Sequence, residues 1–436
     1  MAKDGTDARP LVRDEGGVFD LNRSAFTQQE IFDLEMERIF ERGWLYLCHE
    51  SQVENEGDYY STQMGRQPVY VHRGKEGKIN AFINACAHRG AVLTPQRRGN
   101  ARTLTCRFHG WCFNTEGRCT KIKTEKVGWP DGVDKSKFSL QPIAKVQSYK
   151  GFIYGSLTDD CPSLEEHLGE SKVFIDLLAE QSPEGMEVVR GGQTYLIRGN
   201  WKLQAENGVD GYHVSTVHRV FAGAMAKRES MAPAEGMAKT ESGRIAGKVE
   251  TGSYDIGMGH MLIWAKRSDL GAAPLSASLD QLRERFDEKT IDWMAGRGRN
   301  LFVYPNVHLM DQPSTQIRVL IPIAPDRTEA RVYCIAPKGE PREARIARVR
   351  KFEDFYMVTG MATPDDMAAL EDVQRGSMAT NMPYSHVDRG RSVMVEGPDE
   401  TAKELGLNPV SSNPNWENET LYYGFYRRWN EDLGGA

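Results

Sequence analysis

The sequence predicts an α+β protein in two parts, an all-β first part and a mixed second part. Three observations carry this. The chain has 436 residues, and at roughly 150 residues per domain that gives two or three domains. From residue 43 to 157, short β-type runs alternate with turns. Beyond residue 160, helical spacing mixes with longer strand patterns.

In chain order, residues 1–24 read as a mobile arm. Thr27-Gln28-Gln29-Glu30 has the capping-box pattern, and Ile31, Leu34, Met36 and Ile39 follow at helical spacing, so a helix is expected over 27–42. The β-type runs are 44–48, 68–72, 81–83, 103–106 and 151–156. The cut falls near 157–163. This gives 1–42 as an arm and a helix that returns to the second part, 43–160 as the first domain and 161–436 as the second. In the latter, 164–181 reads as helix, 185–199 as a strand pair turning at Gly191-Gly192, and 201–219 as helix. Residues 222–260 have no clear period, the mark of a mobile or functional loop. A helix near 279–292, a hairpin over 300–323, a strand at 330–336, a helix near 341–358 and another from Thr363 complete the pattern.

Composition excludes several classes. Hydrophobic residues are 39% and charged residues 27%, ordinary for a globular chain. No apolar run of about 18 residues is present, so no membrane span is expected. The first residues are polar and charged, which predicts no secretion signal. A net charge of −6 speaks against nucleic acid as a partner. Seven cysteines, an odd number, predict reduced thiols and a cytoplasmic setting.

Cys86, His88, Cys106 and His109 form the first constellation. Two thiolates can hold one iron and two imidazoles another, the ligation of a Rieske [2Fe–2S] centre. The alternative is a structural zinc site, but zinc fingers group like ligands whereas each pair here mixes the two types. Gly90 and Gly110 let backbone amides approach the sulfurs, and Trp111 can shield the cluster. Cys112 and Cys119 read as buried thiols, and Cys48, Cys161 and Cys334 as packing residues.

Asp210, His213 and His218 form the second constellation. Five residues along a regular helix rotate a side chain by about 140°. One metal between the histidines therefore needs a bend, a π-bulge or a helix end, which Gly208 and Gly211 permit. Asp210, three residues before His213, shares its face and can accept an N–H from it or from another histidine. Two histidines and a carboxylate make the facial triad of non-haem iron(II). The third ligand is remote, with Asp365 or Asp366 as candidate. The alternative for that pair is a helix start, with Thr363 as N-cap, Pro364 at N1 and Asp366 at the capping-box position. A one-electron cluster in the same chain favours iron, because an oxygenase centre needs a local electron supply. His49, His72, His167, His260 and His386 read as surface or turn residues. His308, in the strand pattern 303–310, either points into a pocket or packs.

With Cys86–Ala91, Cys106–Trp111, Gly199–Lys202, Glu206–His218, Tyr356–Asp366, Cys334–Glu340 and Val395–Glu400, the chain resembles the large (α) subunits of Rieske non-haem iron ring-hydroxylating oxygenases. The resemblance runs from Trp44 to the carboxyl end and is strongest to the benzoate, toluate and anthranilate 1,2-dioxygenase branch, with salicylate hydroxylases beside it. It implies an all-β Rieske domain before a helix-grip-like α+β catalytic domain with a large antiparallel sheet. It implies cluster ligation by Cys86, His88, Cys106 and His109. Mononuclear iron(II) would be held by His213, His218 and the second Asp, Asp366, with Asp365 still open. Asp210 resembles the bridging carboxylate that joins His213 of one subunit to His109 of the next, so that electrons cross between neighbours in a ring of three. A small β subunit, in an α3β3 assembly, and a flavin/iron–sulfur reductase or ferredoxin fed by NADH are the implied partners. Arg219-Val220-Phe221-Ala222-Gly223-Ala224-Met225 departs from the aromatic residue usual there. With 222–260 it is expected to border the pocket.

The expected reaction is hydroxylation of an aromatic carboxylate of benzoate, anthranilate or salicylate type with dioxygen. A carboxylate in an apolar pocket needs a cation, and Arg318, in the strand pattern 315–321, is the candidate. Its alternative is an outward surface arginine on an alternating strand. Asn207, His308 and Arg219 are further substrate candidates. The rival functions are a Rieske monooxygenase or demethylase on another aromatic, a Rieske electron carrier, which leaves the second part unexplained, and a zinc-stabilised interaction module without chemistry.

Overall fold

The computed structural model describes residues 9–230 and 249–434. The chain divides into two units, Met36–Leu164 and Met1–Glu35 with Glu165–Ala436. The unit edges fall at 35/36 and 164/165, where the sequence placed them at 42/43 and 160/161.

The unit Met36–Leu164 is built of three small antiparallel sheets. One runs Ile79–Ile83, Gln67–Arg73, Asp58–Met64, Arg98–Asn100. A second runs Cys119–Lys121, Cys112–Asn114, Thr103–Thr105, and a third Lys145–Tyr149, Phe152–Ser156, Leu45–His49. Strands this short gain little from pairing alone and depend on a shared apolar face. Tyr70, Phe82, Leu104, Trp111, Phe113 and Leu140 supply it.

The other unit is organised by a nine-stranded antiparallel sheet. Its order is Met186–Ile197, Arg327–Pro337, Gln316–Ala324, Val307–Met310, Arg297–Val303, Met261–Lys266, Thr251–Asp255, Ser411–Asn413, Val395–Glu396. The central strands are buried on both faces, so they read as continuous apolar runs interrupted by a few polar residues with specific work. The expected strand pair at 185–199 is instead the single strand Met186–Ile197, with a register shift between Val188 and Gly192. Gly192 lies too close to Tyr333 to carry a side chain, its Cβ position being 2.7 Å from that ring, so the glycine pair makes a bulge, not a turn. The hairpin expected at 300–323 is a three-strand meander.

Other expectations are corrected by packing. Within the arm, Val12–Glu15 and Val18–Asn22 form a hairpin that also pairs with Tyr384–His386, because Phe19 and Leu21 are buried. Residues 1–8 lie outside the described residues. The 27–42 helix is Gln29–Glu35 followed by a π-turn at Met36–Phe40. The Thr27 hydroxyl donates back to the Arg23 carbonyl at 3.4 Å. Helix 164–181 is broken into Leu164–Leu168 and Ser171–Ala179, and 279–292 into Leu279–Arg283 and Glu288–Ile291. The stretch 222–260 opens as the helix Arg219–Ser230 and resumes as the strand Thr251–Asp255, with 231–248 outside the described residues. His49, His72, His167 and His260 are buried, not superficial. His72 Nε2 lies 3.0 Å from the Ala101 carbonyl and His260 Nε2 2.7 Å from that of His167.

One buried ion pair fixes the start of the helix Trp201–Asn207. Glu35 and Lys202 are both fully buried and paired. The Glu35 carboxylate also accepts from Trp201 Nε1 at 2.9 Å and from Trp429 Nε1 at 2.8 Å. Burial pushes the Lys202 pKa down and Glu35 works against that shift. Removing one partner strands the other charge. The variant E35Q is expected to lose about 3–5 kcal/mol in urea unfolding, and E35M/K202M to lose less than E35Q alone.

Candidate functional site

Two loops of the first unit present the Cys/His residues in matching frames. Cys86 N–H donates to Ala91 O at 2.9 Å and Gly90 N–H to Cys86 O at 2.8 Å. Cys106 N–H donates to Trp111 O at 2.8 Å and Gly110 N–H to Cys106 O at 2.9 Å. Gly90 and Gly110 have φ of 73° and 72°, the left-handed region that favours glycine. Asn84 pins the first loop, its Oδ1 accepting from Leu93 N at 3.0 Å and Thr94 N at 3.2 Å.

Both thiols point inward and are buried, whereas His88 is exposed and His109 half-buried. The two imidazoles lie 4.6 Å apart, and His88 stacks on Trp111 at 4.7 Å and 8°. Burial pushes the Cys86 thiol up, and the adjacent Cys106 thiol adds to the shift. Two thiols on the inside and two imidazoles on the outside fit a [2Fe–2S] cluster whose irons have unlike ligands. Cys112 is half-buried, 3.5 Å from Thr105 Oγ1, and Cys119 is buried in the core.

In the second unit, Asn200 caps the helix Trp201–Asn207, its side chain accepting from Lys202 N at 3.1 Å. The helix stops at Gly208. A Cβ there would stand 2.2 Å from His308 Nε2, so the chain approaches the sheet as only glycine allows. The next helical turn is Val214–Val217, with His213 at its start and His218 at its end. This is the interruption that histidines five apart require.

The break brings the imidazoles together. His213 Nε2 and His218 Nε2 are 3.3 Å apart. Asp366 Oδ1 is 3.4 Å from the first and 3.2 Å from the second. These ligand atoms all lie within 4.8 Å of one another and can hold a metal ion. Asp366 reaches them from the first turn of the helix Thr363–Gly376. It does not cap that helix, and neither does Thr363, whose hydroxyl donates to the carbonyls of Phe355 and Tyr356. Asp365 is half-buried and outside the group. Asn207 Nδ2 donates to Asp366 Oδ1 at 3.4 Å.

Asp210 Oδ2 lies 3.0 Å from His213 Nδ1, and Asp210 Oδ1 accepts from Tyr212 N at 2.6 Å. Burial opposes charge on His213, but Asp210 and Asp366 outweigh it and carry its pKa up to about 10. Burial pushes His218 down. Against burial, the two histidines and Arg318 hold the Asp366 carboxyl below its usual range. Two imidazoles and one ionised carboxylate would suit a divalent iron.

A cavity opens beside these groups. Phe221, Ile263, Met310, Phe355 and Trp416 give it apolar walls, and Asn207 and Arg318 line it. Arg318 is 4% exposed, so the outward surface reading of that residue is corrected. Its strand lies inside the sheet, not at an edge. Its Nε is buried without a hydrogen-bond partner. Arg267 is a second cation on the wall, but it donates to the carbonyls of Asp311 and Gln312 at 2.6 and 2.8 Å. Arg219 is exposed on the helix Arg219–Ser230, and His308 is wholly buried behind the wall, so neither lines the cavity. The sequence reading missed Lys351, Asn300, Met310 and Trp416 as lining residues. Asn300 and Met310 are cross-strand partners, a pairing legible only once register is known.

Comparison with known proteins finds two domains in the chain. Residues 43–149 match the Rieske [2Fe–2S] domain and residues 185–435 the ring hydroxylating alpha subunit, catalytic domain. The toluate 1,2-dioxygenase subunit alpha of Pseudomonas putida is 46% identical, over 96% of this chain and 91% of that protein. The anthranilate 1,2-dioxygenase large subunit of Acinetobacter baylyi is 39% identical, over 96% and 90%. Among solved structures, naphthalene 1,2-dioxygenase from Rhodococcus sp. matches with a TM-score of 0.81 at 25% identity, over 95% and 94%. These two domain matches, with relatives covered over nine tenths of their length, place the chain among the α subunits of the Rieske-type aromatic ring-hydroxylating dioxygenases.

Proposed function

We propose that this α subunit hydroxylates an aromatic carboxylate, and that Arg318 holds the carboxylate. The observation that carries this reading is a buried guanidinium on the wall of the cavity beside the His213–His218–Asp366 group. In a low-dielectric pocket an unpaired arginine favours an anionic ligand, and its fork matches a carboxylate bidentately. Ring carbons then pack on Phe221, Ile263 and Phe355. Benzoate, anthranilate and salicylate types all satisfy this pattern.

His213, His218 and Asp366 would hold iron(II), and Cys86, His88, Cys106 and His109 the Rieske cluster. When bound, the cluster supplies single electrons, and the iron leaves positions open for dioxygen beside the ring. The chain's own groups do the rest. Arg318 orients the ring, Asn207 steadies the Asp366 carboxylate, and Asp210 fixes His213 through its Nδ1–H. Asp210 keeps lone pairs to accept a further N–H, which suits the bridging role toward the cluster histidine of a neighbouring subunit. We further propose electrons from NADH through a separate flavin/iron–sulfur reductase or ferredoxin, a small β subunit in an α3β3 assembly, and a cytoplasmic setting. No helix among the described residues is long and apolar enough to cross a membrane.

The deciding experiment is turnover under ¹⁸O₂ by α with β, a reductase and NADH. Two labelled oxygens in the product of benzoate or anthranilate are expected. One label, from salicylate alone, would make the protein a salicylate hydroxylase instead. In D366N the mononuclear iron should fall to a small fraction of one per chain while the Rieske absorbance stays unchanged. R318L should raise the KM for the carboxylate by about 10- to 150-fold, the worth of a charged hydrogen bond, with iron content intact. An unchanged KM would rule out Arg318 as the anchor.

A further inference from the structure

His308 stands between the pocket arginine and the segment that carries the iron group. On the strand Val307–Met310 it pairs with Arg318 on one side and Phe302 on the other. Side chains of such a pair start about 5 Å apart. The His308 ring is fully buried, and its Nε2 lies 3.0 Å from the Ala205 carbonyl. A carbonyl only accepts, so Nε2 carries the proton and Nδ1 offers a lone pair. Burial, helped by the Arg318 guanidinium, keeps the ring neutral, its pKa pushed down to about 3.

That Nδ1 is buried and unpartnered, and so is the Arg318 Nε–H. An acceptor and a donor on opposed residues are thus complementary and unjoined in this structure. On its other side the ring grips the helix end from which Gly208, Asp210 and His213 follow. It holds the Ala205 carbonyl and fills the space that a Gly208 side chain would need. Asn300 Nδ2 donates to the Gly208 carbonyl at 2.9 Å. Two carbonyls freed by the broken helix are therefore held by the sheet.

We propose that His308 is a positioning residue that couples a carboxylate bound at Arg318 to the segment carrying Asp210 and His213. The inference rests on the aromatic-carboxylate reading of the pocket. A carboxylate on the outer guanidinium nitrogens turns the group, and its Nε–H closes on His308 Nδ1. The imidazole then passes the displacement through the Ala205 carbonyl to the break at Gly208. Substrate binding and iron geometry become linked, and linkage is reciprocal.

The test is calorimetric titration of the α–β complex with benzoate, anthranilate and salicylate. It is run on iron-loaded protein and on protein depleted of mononuclear iron with the Rieske absorbance retained. In the wild type the carboxylate Kd should differ between the two forms by about fivefold or more. H308L should bring that ratio close to one. H308Q, whose amide can donate to Ala205 and accept from Arg318, should restore it. H308N, too short to span both partners, takes the place of H308L if the leucine variant does not fold. A wild-type ratio near one, or an unchanged ratio in H308L or H308N, overturns the coupling and leaves the substrate reading standing. A wild type that binds none of the three carboxylates overturns both.

Discussion

The interrupted helix after Asn207 is the constraint on which the His213–His218–Asp366 group depends. A regular helix through 201–218 would turn His213 and His218 to different sides. The chain avoids this by running Gly208 directly against His308, where a Cβ would sit 2.2 Å from the ring nitrogen. Gly211 is pressed in the same way against Trp416, at 2.5 Å. The break leaves carbonyls without helical partners, and buried carbonyls must find others. His308 and Asn300, both borne on the sheet, provide them. Asp210 then turns back on itself to meet His213 Nδ1, and both imidazoles face Asp366.

The same helix is held at its start by burial of charge. Glu35 joins Lys202, Trp201 and Trp429 in one hydrogen-bonded group. The ammonium also lies within 5.0–5.5 Å of the rings of Phe26, Trp201 and Trp429. Such a pair contributes little net stability over an apolar substitute, yet it penalises any register that separates its members. It fixes where the helix begins, as Gly208 fixes where it ends. The metal-ligand segment therefore starts from a defined point on the sheet.

The two metal regions use opposite exposures. In the Cys/His unit the thiols are inside and the imidazoles outward, with His88 exposed and Trp111 stacked behind it. That arrangement suits a group that exchanges electrons with something beyond the unit. In the other unit His218 and Asp366 are buried beside an apolar cavity whose wall carries the buried Arg318 guanidinium. Low dielectric strengthens every charge there, which suits the anionic ligand proposed for Arg318.

Much of this was legible in the sequence. Ligand types and spacing named the Cys86–His88–Cys106–His109 set, because metal chemistry restricts which residues serve and local loops keep them near. The need for a break between His213 and His218 followed from helix geometry alone. Strand content and the two-part division followed from periodicity. What the sequence left open was decided by contacts between distant segments. Asp366 and a helix cap look alike until the helix is seen to place that carboxylate 3.2 Å from His218. Arg318 could face either way until the packed chain buried it on the cavity wall. His308 moved from candidate ligand contact to a buried support. The arm became a hairpin because Tyr384–His386 pairs with it. Sequence determines what each residue can do and its local conformation. Which of those capacities is used depends on register, burial and the segments that meet, and these are settled only when the whole chain has packed.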